Sequence, residues 1–294
     1  MMAQPLQKAR WGNKPSAHAR LFGTGDFNRA AKCTVIVAHP ADEIVGAGCL
    51  ISKLVDVTVV HVTDGARDLR EANAAGFDDV SSYAEARKRE CLEALAVAEV
   101  PEDRVVEFAV PDTAACECLQ DLTKRIASFL QDAGTEIVVT HPYEGGHPDH
   151  DATAFATHAA LRLMELNGLK PPTLFEMALH PGNDDISKLP EFLPGAEGET
   201  TTLVLDERAT KLKRQMFDCL QSQRRSMQAS PVGLERFRQP PEYDFSVPPQ
   251  EGQLHYEKFD WAPRSSEWQL RACKALKDLF PSRKSGPESM QDPL

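Results

Sequence analysis

The sequence lacks an uninterrupted apolar run of the length that a membrane-spanning helix requires, which is about 18 residues or more. Its opening stretch, MMAQPLQKARWGNKPSAHARLFG, also lacks the apolar core of a secretory signal. We therefore expect a cytoplasmic protein that does not associate with a membrane.

Positive charge is also scarce. The 33 Lys and Arg residues are outnumbered by 44 Asp and Glu residues, which gives a formal net charge of -11 and an isoelectric point near 5.3. Such a surface repels nucleic acid and anionic lipid, because both carry the same sign of charge. The expected partner is a small, neutral molecule.

A disulfide framework is absent as well. The seven cysteines are odd in number, and most of them lie in apolar helical or strand patterns. Cys116 and Cys118 have one residue between them, whereas redox motifs and zinc pairs normally have two or more. Reduced, structural thiols are the expected state.

What the chain does contain is a regular alternation of strand and helix patterns. With 41% hydrophobic residues among 294, it can bury the core of one large α/β domain. Near-continuous apolar strands that alternate with amphipathic helices predict a Rossmann-like, mostly parallel sheet with helices on both faces. The predicted strands cover residues 33–39, 55–62, 104–110 and 136–141, and the predicted helices cover residues 43–54, 83–98, 115–132, 152–166 and 206–223.

The composition of the chain changes after residue 167, where prolines become frequent. This loop-rich part, residues 167–281, is expected to add short strands at 173–178 and 200–205 and to form a rim or lid that faces the substrate. We predict a single α/β domain over residues 32–281. In this prediction residues 1–31 are an N-terminal extension, and the polar residues 282–294 are a disordered tail.

Two strand-to-helix turns concentrate the chemically active side chains. The first strand ends in HPADE at residues 39–43, and the fourth is followed by HPYEGGHPDH at residues 141–150. In a parallel sheet, turns that follow neighbouring strands open on the same edge. The two turns are therefore expected to meet, although they are far apart in the sequence.

The residue types in these turns suit a catalytic zinc site. Such a site takes three protein ligands with N or O donors and keeps one position open for water, whereas a closed structural site takes four ligands that usually include sulfur. A single His-Pro dipeptide at a strand end is typical of an ordinary turn, but two such turns together favour a metal site. They supply His39, Asp42, His147, Asp149 and His150.

These motifs resemble those of a known family, the PIG-L/LmbE-like zinc-dependent de-N-acetylases. The family's first motif, HPDDE preceded by Ala or Pro and followed by glycines, is similar to AHPADEIVGAGC at residues 38–49. Its second motif, GHPDH, is intact at residues 146–150, and the resemblance extends over residues 32–225. Weaker matches are Thr63-Asp64-Gly65, Arg87 with Glu90, and Ser222-Gln223.

The resemblance implies a role for each residue. His39, Asp42 and His150 would bind one zinc ion per chain. His147 would be a protonated imidazole that stabilises the oxyanion or donates a proton to the leaving amine, and Asp149 would orient it. Such a site hydrolyses amides, because zinc polarises the carbonyl and activates water while the imidazole offsets the developing negative charge.

One residue of the family pattern is missing. Position 41 is Ala, where the family has the Asp that serves as general base, and general base catalysis is typically worth about 10²–10⁴ in rate. We expect zinc binding to survive and hydrolysis to be slow. Two explanations stay open: a deliberate replacement of the Asp, which the retention of His147 and Asp149 favours, or a natural protein that kept its zinc site without turnover. Glu43 is a poor substitute, because it is expected to start the helix.

The loop after the second strand holds the expected substrate contacts. Arg67 or Arg70 is a candidate for binding a sugar hydroxyl or an acidic aglycone, although exposed arginines are common. Asp64 either bonds the sugar or caps its own Asp-Gly turn. Arg87 is expected to form an ion pair rather than a substrate contact, with Glu90 one helical turn away.

Three further features favour structural roles. His61 lies in the middle of a strand, which predicts a buried, hydrogen-bonded histidine. His141 ends a strand and is expected to contact the metal ligands rather than the metal itself. The Gly46-Ala47-Gly48 segment lacks the full GxGxxG pattern and follows an acidic turn, so a dinucleotide site is excluded.

Together these patterns predict an amide hydrolase that removes acetyl from an N-acetylglucosamine-type conjugate by zinc-activated water, without an acyl-enzyme. The aglycone is left open, and a homo-oligomer is compatible with a sequence that shows no heptad pattern. The rival prediction is a zinc-containing sugar-binding or regulatory protein without turnover.

Overall fold

Strands and helices alternate along the chain much as their patterns predict. The computed structural model describes residues 16–23, 31–179, 190–193, 199–224, 230 and 232–281. The strands are β1 (Cys33–Val37), β2 (Val57–Thr63), β3 (Val105–Val110), β4 (Ile137–Thr140), β5 (Thr173–Met177), β6 (Thr200–Val204) and β7 (Leu234–Arg238). The helices are α1 (Ala17–Phe22), α2 (Asp42–Ile51), α3 (Leu69–Ala75), α4 (Val80–Val97), α5 (Leu119–Ala133), α6 (Pro148–Leu166), α7 (Glu207–Cys219) and α8 (Ser265–Leu279), with short 3₁₀ helices at Glu102–Arg104, Ala115–Glu117, Gln221–Gln223 and His255–Lys258.

The strands form one sheet in the order β3-β2-β1-β4-β5-β7-β6. The first five in this order pair in parallel, and β7 pairs antiparallel with both β5 and β6. This arrangement confirms the predicted α/β fold with a mostly parallel sheet. β1 is the middle strand of the five parallel ones, and β2 and β4 lie on either side of it.

Both faces of the sheet are covered, because successive side chains of a strand point to opposite faces. In β1, Val35 and Val37 pack into an apolar cluster that includes side chains of α2, α4 and α7. Ile36 packs into a second cluster, which includes side chains of α5, α6 and α8. All three β1 residues are completely buried, which explains the near-continuous apolar run in the sequence. None of the helices in the described ranges is long and apolar enough to cross a membrane.

The part of the chain after residue 167 is more regular than predicted. It supplies β5 and β6, as expected, but also β7 and α8, which the sequence patterns did not reveal. Trp268 of α8 is completely buried, and its indole N–H donates to the carbonyl oxygen of Pro148 at 3.3 Å. This region therefore completes the core on one face of the sheet.

Part of the predicted N-terminal extension also packs on the sheet. In α1, Leu21 is buried, and the ring of Phe22 lies 5.3 Å from Phe175 and 5.2 Å from Phe237, centroid to centroid. The rest of residues 1–31, apart from 16–23 and 31, and the predicted disordered tail at 282–294 lie outside the described residues.

A buried ion pair ties α2 to the C-terminal part of the sheet. Lys213 of α7 and Glu235 of β7 are both fully buried, with Nζ 2.7 Å from Oε1. Lys213 also donates to the carbonyl oxygen of Val45 at 2.7 Å. The Glu235 carboxylate accepts from the backbone N–H groups of Cys49 and Leu50 at 2.8 and 3.0 Å. These bonds compensate both charges and fix the helix that begins with the first motif.

We expect that removing either charge destabilises the protein strongly. Lys213→Met or Glu235→Gln leaves the remaining group without its partner in the interior, and the free energy of unfolding should fall by about 3–5 kcal/mol. Urea unfolding followed by circular dichroism measures the change. Lys274→Met is the control, because Lys274 forms an exposed pair with Asp278. A loss no larger than that of the control would contradict this role for the pair.

Candidate metal centre and active site

The candidate site lies at the carboxyl edge of the sheet, outside the ends of β1 and β4. The connections that leave these adjacent strands run to opposite sides, which opens a crevice between them. The turns that carry the two sequence motifs meet here, as predicted. His39 and His150 are 111 positions apart in the sequence, and His150 Nε2 lies 3.3 Å from His39 Nδ1.

The turn between β1 and α2 contains a left-handed residue. Ala41 has φ 97° and ψ -16°, and its N–H donates to Glu43 Oε2 at 3.2 Å. A left-handed conformation costs a residue with a Cβ about 1–2 kcal/mol. The N–H of His39 donates to Asp42 Oδ2 at 2.9 Å, so the turn places the two side chains together.

Arg87 of α4 holds this turn against the turn after β2. Its Nη2 donates to the carbonyl oxygen of Pro40 at 2.9 Å, and its Nη1 donates to the carbonyl oxygen of Gly65. Gly65 has φ 69°, and a Cβ there would lie 2.8 Å from the guanidinium carbon. Gln223 lies on the other side and, with its amide oxygen towards Arg87, accepts from Nε at 3.1 Å. Arg87 thus helps to maintain the strained backbone at position 41.

The predicted ion pair between Arg87 and Glu90 is wrong. Glu90 is buried and accepts two hydrogen bonds from Ser222, at 2.9 Å from the backbone N–H and 2.7 Å from the hydroxyl. The weaker motif matches therefore have a structural role here. They join α4 to the 3₁₀ helix that follows α7.

The second motif forms the start of α6. His147 is the N-cap residue, and its Nδ1 accepts from the backbone N–H of Asp149 at 3.2 Å. Pro148 occupies the first turn, where the missing N–H would have no helical partner. His150 follows in the same turn and faces the residues after β1.

Three donor atoms form a compact triangle. His39 Nδ1 is 3.1 Å from Asp42 Oδ2, and His150 Nε2 is 3.3 Å from each of these atoms. Donor atoms bound to a tetrahedral zinc at 2.0–2.1 Å are about 3.3 Å apart. The residues that the sequence predicts as ligands therefore fit one divalent ion with an open position. Burial raises the pKa of Asp42, but His150 and His39 outweigh it and hold that pKa well below its usual range.

Residues 34–161 match the family model described as PIG-L, GlcNAc-PI de-N-acetylase. The chain is similar to this family over that segment. The resemblance inferred from the two motifs is thereby confirmed for this segment. A comparison with curated proteins found no match.

Several solved structures share the fold of this chain at low sequence identity. The A40926 pseudoaglycone deacetylase Dbv21 is 18% identical, with a TM-score of 0.55, over 73% of this chain and 99% of its own. The zinc inhibited form of teicoplanin deacetylase Orf2 is also 18% identical, with a TM-score of 0.53, over 70% of this chain and 96% of its own. GalB, the 4-carboxy-2-hydroxymuconate hydratase from Pseudomonas putida KT2440, is 19% identical, with a TM-score of 0.51, over 67% of this chain and 82% of its own. The fold alone therefore does not determine the reaction.

Two carboxylates lie beside the outer nitrogen of His39. Asp112 Oδ1 is 3.2 Å and Asp149 Oδ2 is 3.4 Å from His39 Nε2. Sequence reasoning missed Asp112, which follows β3 in no recognised motif. Asp149 was expected to orient His147, but its carboxylate approaches His39 instead and accepts from the N–H groups of Thr113 and Ala115 at 2.6 and 3.2 Å. An outer carboxylate of this kind fixes the tautomer of a metal-binding histidine.

The surroundings of His147 disfavour the protonated ring that the family resemblance implies. Burial and the nearby rings of His39 and His150 lower the pKa of His147 well below its usual range. Because Nδ1 accepts the helix-capping bond, the ring proton resides on Nε2. The ring packs against Trp261, at 5.2 Å between centroids, so the C-terminal part of the chain helps to hold it.

His141 lies behind the triangle, as expected. It is fully buried and stacks on His150 at 4.0 Å between ring centroids. Its Nε2 accepts from the N–H of Ala38 at 2.9 Å and lies 3.5 Å from Asp42 Oδ2. Burial lowers the pKa of His141 to about 4, and repulsion from His150 adds to this effect, so the ring is neutral.

Glu43 points away from the candidate site. One oxygen accepts from the thiol of Cys91 at 2.8 Å and lies 3.2 Å from Nε2 of His61. The other oxygen accepts from the N–H of Ala41. His61 is buried and bonded, as predicted, and Glu43 is completely buried. Glu43 therefore supports the turn rather than facing a substrate.

The expected substrate residues occupy different positions. Asp64 Oδ1 accepts from the N–H groups of Ala66 and Asp112, which favours its turn-capping role. Arg67 lies at the rim of the site, with its guanidinium carbon 4.6 Å from the ring centroid of Trp261. Arg70 is exposed on α3. Arg67 is thus the better placed of the two arginines.

We expect the unaltered protein to hold one divalent ion per chain after dialysis, measured by elemental analysis. His39→Ala and His150→Ala each remove one of the three donors, and metal affinity should fall by at least about 10–100-fold, the loss typical of an outer partner alone. His158→Ala is the control, since His158 lies further along α6. Full metal content in both donor variants would show that the triangle is not the binding site.

Proposed function

We propose that the protein is a metal-dependent amide hydrolase that removes the acetyl group from an N-acetylated amino sugar, with one zinc ion per chain. The donor triangle of His39, Asp42 and His150 is the observation that carries this proposal. It lies at the carboxyl edge of the sheet, beside the imidazole of His147. The match of residues 34–161 to the GlcNAc-PI de-N-acetylase model supports the same reaction.

Zinc is the ion that we propose for this site. Two imidazole nitrogens and one carboxylate oxygen are typical of a catalytic zinc with an open position. When bound, zinc polarises the acetyl carbonyl and lowers the pKa of a water molecule towards about 7. A structural neighbour, teicoplanin deacetylase Orf2, has been solved in a zinc inhibited form.

Different residues of the site have different proposed roles. His39, Asp42 and His150 would hold the ion through Nδ1, Oδ2 and Nε2. His147 would donate its Nε2 proton in a hydrogen bond to the carbonyl oxygen or the leaving nitrogen, which a neutral ring can do without first gaining a proton. Asp149 would keep His39 in the required tautomer and fix the loop after β3 through its backbone contacts.

The substrate that we propose is a small N-acetylglucosamine-type conjugate in the cytoplasm. Arg67 is the proposed contact for a sugar hydroxyl or an acidic aglycone, with Arg70 and Asp64 as further candidates. One structural neighbour is Dbv21, an antimicrobial reagent A40926 pseudoaglycone deacetylase. Nucleic acid and membrane surfaces are not proposed as partners, because the chain carries a net charge of -11.

The alternative is a zinc-containing sugar-binding or regulatory protein without turnover. The methyl group at position 41, where the family has a carboxylate, is the observation that favours it. The two proposals differ in what a carboxylate at this position would do.

Ala41→Asp should raise the rate of deacetylation. Asp tolerates a left-handed backbone better than Ala does, so the variant fits the φ of 97°. A general base is worth about 10²–10⁴ in rate when it starts from none, and less if another base already acts. The assay measures free amine released from a panel of N-acetylated sugars by the zinc-loaded protein.

Ala41→Asn is the matched control, because it has the same shape and backbone preference but cannot accept the proton. It should leave the rate unchanged. Sugar binding to the zinc-loaded protein without any amine release, in both the unaltered protein and Ala41→Asp, would favour the binding protein instead.

A further inference from the structure

We propose that Glu43, His61 and Cys91 form a second metal site, which binds a thiophilic divalent cation such as zinc when that ion is supplied in excess. The three side chains lie beneath the turn that carries the first motif. This second site shares no residue with the donor triangle, and it does not depend on the proposed amide hydrolysis.

The three side chains come from different elements and meet in the core. Glu43 lies in the first turn of α2, His61 in β2 and Cys91 in α4. Glu43 Oε1 is 2.8 Å from Cys91 Sγ and 3.2 Å from His61 Nε2, and this sulfur is 3.8 Å from this nitrogen. Glu43 and Cys91 are completely buried, and His61 is 2% exposed. A carboxylate oxygen, a sulfur and a ring nitrogen therefore face one another.

The separations of these three atoms suit a single ion. Zinc lies about 2.3 Å from sulfur and about 2.0–2.2 Å from nitrogen or oxygen, so that its tetrahedral donors are about 3.3–3.6 Å apart. The nitrogen of His61 is already close to these separations from both partners. Only Glu43 Oε1 and Cys91 Sγ would have to move apart, by about 0.7 Å. The broad terminal torsion of a glutamate allows such a shift.

The charge of the cluster also favours a cation. A buried carboxylate normally pairs with a positive group or binds a metal. Within the described ranges no Lys or Arg side chain bonds Glu43, whose other oxygen accepts from the N–H of Ala41. A divalent ion bound by the Glu43 carboxylate, the Cys91 thiolate and the neutral His61 ring would leave no net charge in the core.

The same three groups satisfy one another when no ion is bound. The Cys91 thiol donates to Glu43, and the His61 ring lies within hydrogen-bond distance of the same oxygen. A cation must displace these bonds, and the thiol proton must pass to solvent, which lowers the apparent affinity. We therefore expect the donor triangle to fill first and to be the site that retains its ion after dialysis.

The sulfur donor determines which kind of ion the site takes. Thiolate ligands favour zinc and other soft cations, whereas magnesium and calcium prefer oxygen donors. His61 also lines a cavity of about 120 Å³, whose wall includes Glu102, Glu107 and Lys88. Because the two carboxylates outnumber the one ammonium group, this cavity attracts a cation and gives it a route to the ring.

An ion at this site would cross-link α2, β2 and α4. Glu43 also holds the N–H of Ala41, whose left-handed φ is 97°, so the ion would stabilise the turn that carries Asp42. A ligand that binds only the folded state raises its stability. Filling the second site should therefore raise the Tm of the protein.

Titration of the zinc-loaded protein with cobalt(II) tests the site. Cobalt bound by a thiolate has a charge-transfer band in the near ultraviolet, and the donor triangle cannot produce this band because it contains no sulfur. We expect the band to saturate with one cobalt-thiolate site per chain and the Tm to rise with it. Magnesium and calcium at the same concentration should neither remove the band nor raise the Tm.

Cys91→Ser and His61→Gln are the informative variants, since each keeps a hydrogen-bond donor for Glu43 and removes a metal donor. Cys91→Ser should abolish the band. His61→Gln should weaken cobalt binding by at least about 10–100-fold, the loss typical of an outer partner alone. Cys118→Ser is the matched control, because Cys118 is a half-buried thiol outside the cluster, and it should leave the band unchanged.

Two outcomes would overturn the second site. One is the absence of a charge-transfer band in the unaltered protein. The other is a band that persists in Cys91→Ser, because another cysteine would then bind the cobalt. Circular dichroism checks that the variants fold. Should Cys91→Ser fail to fold, X-ray absorption at the cobalt edge of the unaltered protein decides, since the site requires one sulfur ligand together with nitrogen and oxygen.

The measurement also separates this site from the proposed function. His39→Ala and His150→Ala should lose the first ion and keep the cobalt-thiolate band. An absence of amine release from every sugar, with the band intact, would overturn the hydrolysis alone. Amine release without any band would overturn the second site alone.

Discussion

The parallel pairing of β1 with β4 is the constraint on which the candidate site depends. It brings together two turns that are more than 100 residues apart in the sequence, and it sets the distance between His39 and His150. Neither turn alone supplies three donors. The candidate metal centre therefore depends on the sheet. Any change in the register of β1 against β4 would move His39 and Asp42 relative to His150.

The fold and the donor triangle could be predicted from the sequence because their signals are local. Each strand of the parallel sheet is a continuous apolar run, and each motif places its reactive residues directly at a strand end. His39, Asp42 and His150 follow from these patterns and from the family resemblance. The elements that escaped prediction are α1, α3, β7 and α8. β7 lies in a proline-rich part of the chain, whereas α8 does carry a helical pattern, with Trp268, Ala272 and Ala275 on its buried face.

The rest of the site depends on contacts between distant segments, which no local pattern records. Asp112 is a single acid after β3, and only the loop geometry places it beside His39. Arg87 and Glu90 are one helical turn apart, which favoured a pair, yet the turn at Pro40 and the hydroxyl of Ser222 bind them separately. The lowered pKa of His147 has a related cause, because burial among other imidazoles is a tertiary effect.

The ion pair beneath α2 means that the segment matched by the family model is not a self-contained folding unit. Residues 34–161 contain the whole motif set, but Val45, Cys49 and Leu50 of α2 bond to Lys213 and Glu235, which lie beyond that segment. A fragment cut after residue 161 would expose these peptide groups beside the ligand-bearing turn. Chimeras that exchange the C-terminal half to change specificity must therefore carry both charges along with it.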